Sequence, residues 1–108
     1  MATSQTFRVA QRAHLQANKN KQIPGTMIIA RFVNALHQPP DIPSSTNLND
    51  LLKGGLVKWD LGLMLMSFPS FKRDGLILQK SDVMNASTVG DLGNLVFAWY
   101  RADGWTVT

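Results

Sequence analysis

The sequence predicts an α+β to mainly β fold, a small single domain with a C-terminal β-hairpin and a basic N-terminal arm or short helix. Three observations lead there. Residues 56–68, amphipathic in their first half and apolar on both faces in their second, read as a central strand, with Val57, Trp59, Leu61, Leu63 and Leu65 on one face. Residues 95–101 are rich in β-formers and run into Ala102-Asp103-Gly104 and then residues 105–108, the pattern of a hairpin with a left-handed glycine closing its turn. All seven acidic residues are aspartate, which favours turns and caps over helix interiors because its short side chain competes for backbone hydrogen bonds. A chain of 108 residues, 44% hydrophobic and 17% charged, has the size of one domain and enough apolar content to collapse.

The division expected is a basic arm or short helix over 1–25 and a β-rich body over 26–108. In residues 4–17, Phe7, Ala10, His14 and Ala17 recur at steps of three or four, with Arg8 and Arg12 on a neighbouring face. Its stripe is mostly alanine, so this helix needs a docking surface. Residues 26–36 fit both periods. Ile28, Ile29 and Val33 tip the reading to a strand, with a helix capped by Thr26 as the alternative. Pro39, Pro40 and Pro43 make 37–45 an extended loop. Thr46 reads as the cap of a helical turn carrying Leu48, Leu51 and Leu52, closed at Gly54. Pro69 ends the central strand. Residues 76–79 read as a short strand, and Ser81-Asp82 as the cap of a brief helical turn.

Chemistry is excluded more easily than assigned. The absence of cysteine removes disulfides, thiol nucleophiles and sulfur-bound zinc. His14 and His37 are the only imidazoles, and no Gly-x-Ser-x-Gly elbow accompanies them. Gly90-Asp91-Leu92-Gly93 lacks the third glycine of a dinucleotide site and reads as a loop. Asp60 stands apart, mid-strand, with Lys58 or Lys80 as the expected partner. No catalytic site, metal or cofactor is expected.

Charge is more informative. Arg8, Arg12, Lys19, Lys21 and Arg31 all lie in residues 1–40, which hold no acid, whereas the rest of the chain is close to neutral. Such asymmetry suits a polyanion or an acidic partner surface. Arg8, Arg12, Lys19 and Lys21 are therefore the expected contacts to a partner or nucleic acid. The second half of 56–68 is apolar on both faces, so a neighbour is expected to cover it. Met64, Met66 and Trp105 are the expected subunit-interface residues. No secretory signal and no membrane span are expected, which places the chain in the cytoplasm or in a virion. The expected role is a non-enzymatic structural or assembly protein that self-associates or binds a protein, a component of a virus or phage particle. The alternative is a small basic nucleic-acid-binding protein.

Overall fold

The computed structural model describes residues 21–108. The stripe predicted in residues 4–17 lies outside the described residues. The order is β1 (Gln22–Ile23), α1 (Gly25–Ala35), a 3-10 turn (Leu48–Leu51), α2 (Lys58–Ser67), α3 (Pro69–Asp74), α4 (Lys80–Asn85), α5 (Val89–Ala102) and β2 (Thr106–Val107). The described body is 58% helical, with a two-strand parallel sheet, which overturns the α+β to mainly β expectation and its C-terminal hairpin.

Residues 95–101 lie in α5 because Val89, Leu92, Val96 and Tyr100 form one buried stripe at helical spacing. Burying each such side chain contributes about 1.5–3 kcal/mol. The whole range of strand propensities spans only about 1 kcal/mol, so the stripe decides the conformation. Gly104 does take a left-handed conformation, at φ 95°. It ends a helix there rather than turning a hairpin. The Trp105 N–H donates to Tyr100 O at 3.1 Å and the Gly104 N–H to Arg101 O at 3.1 Å, the paired bonds of a Schellman exit. The last strand then pairs in parallel with β1, in register Gln22 with Thr106 and Ile23 with Val107.

The central strand expected over 56–68 is α2, with Leu61, Gly62 and Leu65 buried. Its apolar residues fit either period, but its residues from Lys58 to Ser67 include no β-branched side chain and are dominated by leucine and methionine, which are good helix formers. Asp60 is accordingly a helix residue. Its Oδ2 accepts the Val57 N–H at 2.8 Å, satisfying a donor at the helix start. Lys58 turns instead to α4 and donates to the carbonyls of Met84 and Ala86. Pro69 separates α2 from α3, where it occupies the first turn.

The segment 26–36, expected as a strand, is helical through Ala35, with Ile28, Phe32, Val33 and Ala35 buried and Leu36 as its C-terminal cap. The N-terminal cap is Pro24, not Thr26. The 3-10 turn at Leu48–Leu51 is capped by Asn47, whose Oδ1 accepts the Asn49 N–H at 2.9 Å, in place of the expected Thr46. Residues 76–79 have no strand assignment. Ser81-Asp82 lie inside α4, whose cap is Gln79. The loop reading of Gly90–Gly93 also fails, because these residues form the first turn of α5.

Helices pack in pairs, α2 on α4 and α3, α1 on α5 and α2, and α4 on α5. Leu48, Leu61, Leu65, Phe71, Val83 and Leu92 lie in the shared core with the stripes of α1 and α5. No helix of the described residues is long and apolar enough to cross a membrane.

Candidate functional site

The start of α5 organises a concavity among the described residues. Four backbone donors at a helix start have no intrahelical partner, and here each finds one. Val89 N–H donates to Thr46 O at 2.9 Å and Gly90 N–H to Ser44 O at 2.8 Å. Thr88 Oγ1 accepts the Asp91 N–H at 3.1 Å, and the Asp91 carboxylate accepts the N–H groups of Ser87 and Thr88, each at 3.1 Å. Those two backbone bonds hold the Asp91 carboxyl below the ordinary carboxylate range. The proline-rich loop is thus sewn to α5 by its own carbonyls. Gly90 makes this close approach possible, since a Cβ there would stand 3.1 Å from Ser44 O.

Held in that way, Pro40, Ile42 and Ser44 form one wall of a groove of about 220 Å³. Ile28, Ile29, Phe32 and Val33 of α1 form a second wall, and Val89, Gly90, Gly93, Asn94 and Phe97 of α5 the floor. None of these residues carries an ionisable side chain. An apolar cavity of about 150 Å³ accommodates a benzene-sized group, so the groove suits one bulky apolar side chain. Gly93 deepens it. A Cβ at that position would meet nothing closer than the Phe32 ring at 3.8 Å, so the chain's own packing leaves room there.

The residues singled out from the sequence lie elsewhere. Arg8, Arg12 and Lys19 fall outside the described residues. Lys21 precedes β1 and places its ammonium 5.1 Å from the centroid of Trp105, bringing together two residues expected to serve different contacts. Trp105 also packs edge-on to Tyr100 at 5.4 Å, and its Nε1 donates to Asp103 Oδ2 at 3.1 Å. Met64 and Met66 sit half-buried on α2, packed against the core. Met66 Sδ accepts the Leu78 N–H at 3.3 Å. His37 is exposed at the end of α1.

The other polar cluster ties helices together. Asp74 Oδ2 at the end of α3 accepts from the Tyr100 hydroxyl at 2.6 Å and from Arg31 Nη1 at 3.3 Å. Burial and the Asp74 carboxylate push the Tyr100 hydroxyl well above its ordinary range. Such a phenol is a poor base and a poor acid near neutrality. Among the described residues no group of three histidine, aspartate or glutamate side chains could hold a metal.

The groove was missed because it depends on residues 25–35 and 89–102 being helices. With that known, one signal was present: residues 25–35 contain a single charge, Arg31. Comparison with protein-family models, with curated proteins and with solved structures finds no match to this chain.

Proposed function

We propose that this chain is a non-enzymatic assembly component whose body is completed by a protein surface. The observation that carries the reading is the groove between α1, α5 and the proline-rich loop, open, lined without an ionisable group, and walled by a loop fixed through backbone hydrogen bonds. A preformed apolar recess binds without first being ordered, which favours association. General acid–base or nucleophilic chemistry needs titratable groups facing a substrate, and the lining offers none. A virus or phage particle suits a β-rich body with arms, and the helical body lacks that support, which leaves assembly as the role. Size-exclusion chromatography with light scattering tests it. The full chain should exceed its monomer mass as concentration rises, and a mass that stays monomeric would count heavily against the reading.

Nucleic-acid binding remains the second reading, favoured by one specific arrangement. Lys21 lies over Trp105, and the Arg101 guanidinium lies 5.5 Å from the Phe97 centroid, beside the point where the acid-free segment joins the body. Cations interleaved with aromatic rings suit a single strand. Binding to a single-stranded oligonucleotide should then weaken steeply with salt, and Arg8→Ala with Arg12→Ala should flatten that slope. Binding that ignores salt would remove this reading.

A further inference from the structure

We propose that residues 53–56 are a processing site, at which an endoprotease that takes a lysine into an acidic pocket cuts the bond between Lys53 and Gly54 and leaves two fragments that stay joined. A protease cleft takes its substrate as an extended strand, so a folded chain is cut where its backbone is exposed and free of bonds of its own. Residues 53–57, between the 3-10 turn and α2, are exposed at every position, the longest such run among the described residues. Gly54 and Gly55 hold φ 69° and 83°, and a Cβ at either would meet nothing within 4 Å. Outside the helices and strands, no backbone hydrogen bond among the described residues reaches the N–H or C=O of residues 54–56. Glycine passes from left-handed to extended backbone without a Cβ clash, so the segment enters a cleft at little cost to the fold.

Lysine makes the segment specific. Arg31, Lys58, Lys72, Arg73, Lys80 and Arg101 stand in helices, where the following bond is locked in the ladder of the helix. Lys21 precedes β1, and its carbonyl accepts the Thr106 N–H at 2.9 Å. Lys53 is the one described basic residue whose following peptide unit lies outside every helix and strand. In the cut, water adds across the Lys53–Gly54 amide. The C–N bond breaks, a C–O bond forms, Lys53 ends in a carboxylate and Gly54 takes the proton as an ammonium.

The cut falls at a boundary of charge. Residues 1–53 carry six basic side chains against Asp41 and Asp50, the whole formal charge of +4, whereas residues 54–108 carry five of each sign. The bonds across the boundary survive it. β1 stays paired with β2, the Val89 N–H with Thr46 O, the Gly90 N–H with Ser44 O and the Leu48 N–H with Ser87 O, and α1 stays packed on α5 and α2. Processing therefore unlinks the cationic part from the neutral part along the chain and not in space.

The test is limited digestion of the full folded chain with trypsin, read by intact-mass spectrometry, for wild type, Lys53→Gln and Lys80→Gln. The first cut within residues 22–108 is expected to yield a fragment running from Gly54 to Thr108. Lys53→Gln should slow the loss of the uncut body at least about tenfold, because every other site there waits for a helix to open. Lys80→Gln should leave the rate unchanged. Both side chains are exposed, and circular dichroism confirms that each variant folds. The nicked wild type should run as one species on size exclusion, keep its helical signal and melt at a temperature that falls on dilution, as a pair of chains must. A first cut after Lys58, Lys72, Arg73, Lys80 or Arg101, or a body left whole while residues 1–21 are trimmed, overturns the site. Fragments that part on size exclusion overturn the joined product.

Discussion

At the scale of single residues, His37, Gly75 and Gly104 hold left-handed conformations at three helix ends. His37 has φ 56°, a left-handed conformation that a Cβ makes costly. It is held there by a Schellman exit from α1, in which the Gln38 N–H donates to Val33 O at 2.9 Å and the His37 N–H to Asn34 O at 3.0 Å. The same pair of bonds ends α3 at Gly75 and α5 at Gly104, where glycine supplies the conformation without strain. His37→Gly should therefore raise stability by about 0.5–1 kcal/mol, read as a higher urea midpoint with unchanged slope. Gly90 and Gly93 make an opposed pair in one helix. Gly93→Ala gains helix propensity with no clash and should stabilise by up to about 1 kcal/mol. Gly90→Ala sets that same gain against a Cβ at 3.1 Å from Ser44 O and 3.2 Å from Ser44 Cβ, so it should melt below Gly93→Ala. Equal melting temperatures would mean that the proline-rich loop is not clamped to α5 as described.

At the scale of elements, the start of α5 shows what could and could not be read from sequence. Thr88 and Asp91 form a capping box three residues apart. That spacing is visible in the sequence, but the β-formers of residues 95–101 favour a strand and Gly90 and Gly93 favour a loop, and only the buried stripe of α5 outweighs them. Alternation misled in α2 for a related reason: a run apolar at nearly every position satisfies a period of two and a period of 3.6 alike, leaving only the absence of β-branching to separate them. Turn chemistry was more legible. Gly104 and Gly54 do take left-handed conformations, because glycine acts on the backbone locally. The helical turn expected to close at Gly54 nonetheless ends at Leu52. The proline-rich segment is a loop folded into turns rather than an extended one, with the Ile42 N–H donating to Pro39 O and the Thr46 N–H to Pro43 O. The groove was illegible, since its walls come from three segments joined only by tertiary packing. The cap makes a measurable prediction. Thr88→Ala should cost about 1 kcal/mol. The Asp91 carboxyl is held lower in the folded chain than in the unfolded one, so its contribution is full above the ordinary carboxylate pKa and is lost as pH falls through the folded value. Asp91→Asn should accordingly flatten the acid limb of stability below about pH 4, measured by urea unfolding across that range.

At the scale of the whole molecule, Asp74 joins three helices that the chain visits far apart. Arg31 reaches it from α1 and Tyr100 from α5, while Asp74 itself closes α3. Around it, Tyr100 packs against Phe71 at 6.2 Å and Trp99 at 5.1 Å, so the hydroxyl is carried to the carboxylate by a ring already fixed in the core. A polar link inside an apolar cluster fixes which helices meet, because any other arrangement leaves a charge unpaired. The two ends of the link are unequal. Tyr100→Phe keeps the ring and leaves Asp74 paired with Arg31, so it should cost about 1 kcal/mol. Asp74→Ala strands both the phenol and the guanidinium and should cost about 2–3 kcal/mol. An equal loss in the two would show that Arg31 contributes nothing. The phenol's environment also sets the alkaline limit. Desolvation first, then the hydrogen bond and charge of Asp74, raise the folded pKa above the unfolded one. The resulting stability is whole below the ordinary phenol value of about 10 and is lost as pH climbs from there toward the folded value. Tyr100 is the only tyrosine, so its phenolate absorbance reports on one site. At about pH 11 that absorbance should be nearly absent in the folded chain and appear together with the loss of helical circular dichroism, whereas a phenolate formed before unfolding would place the hydroxyl in water and detach it from Asp74.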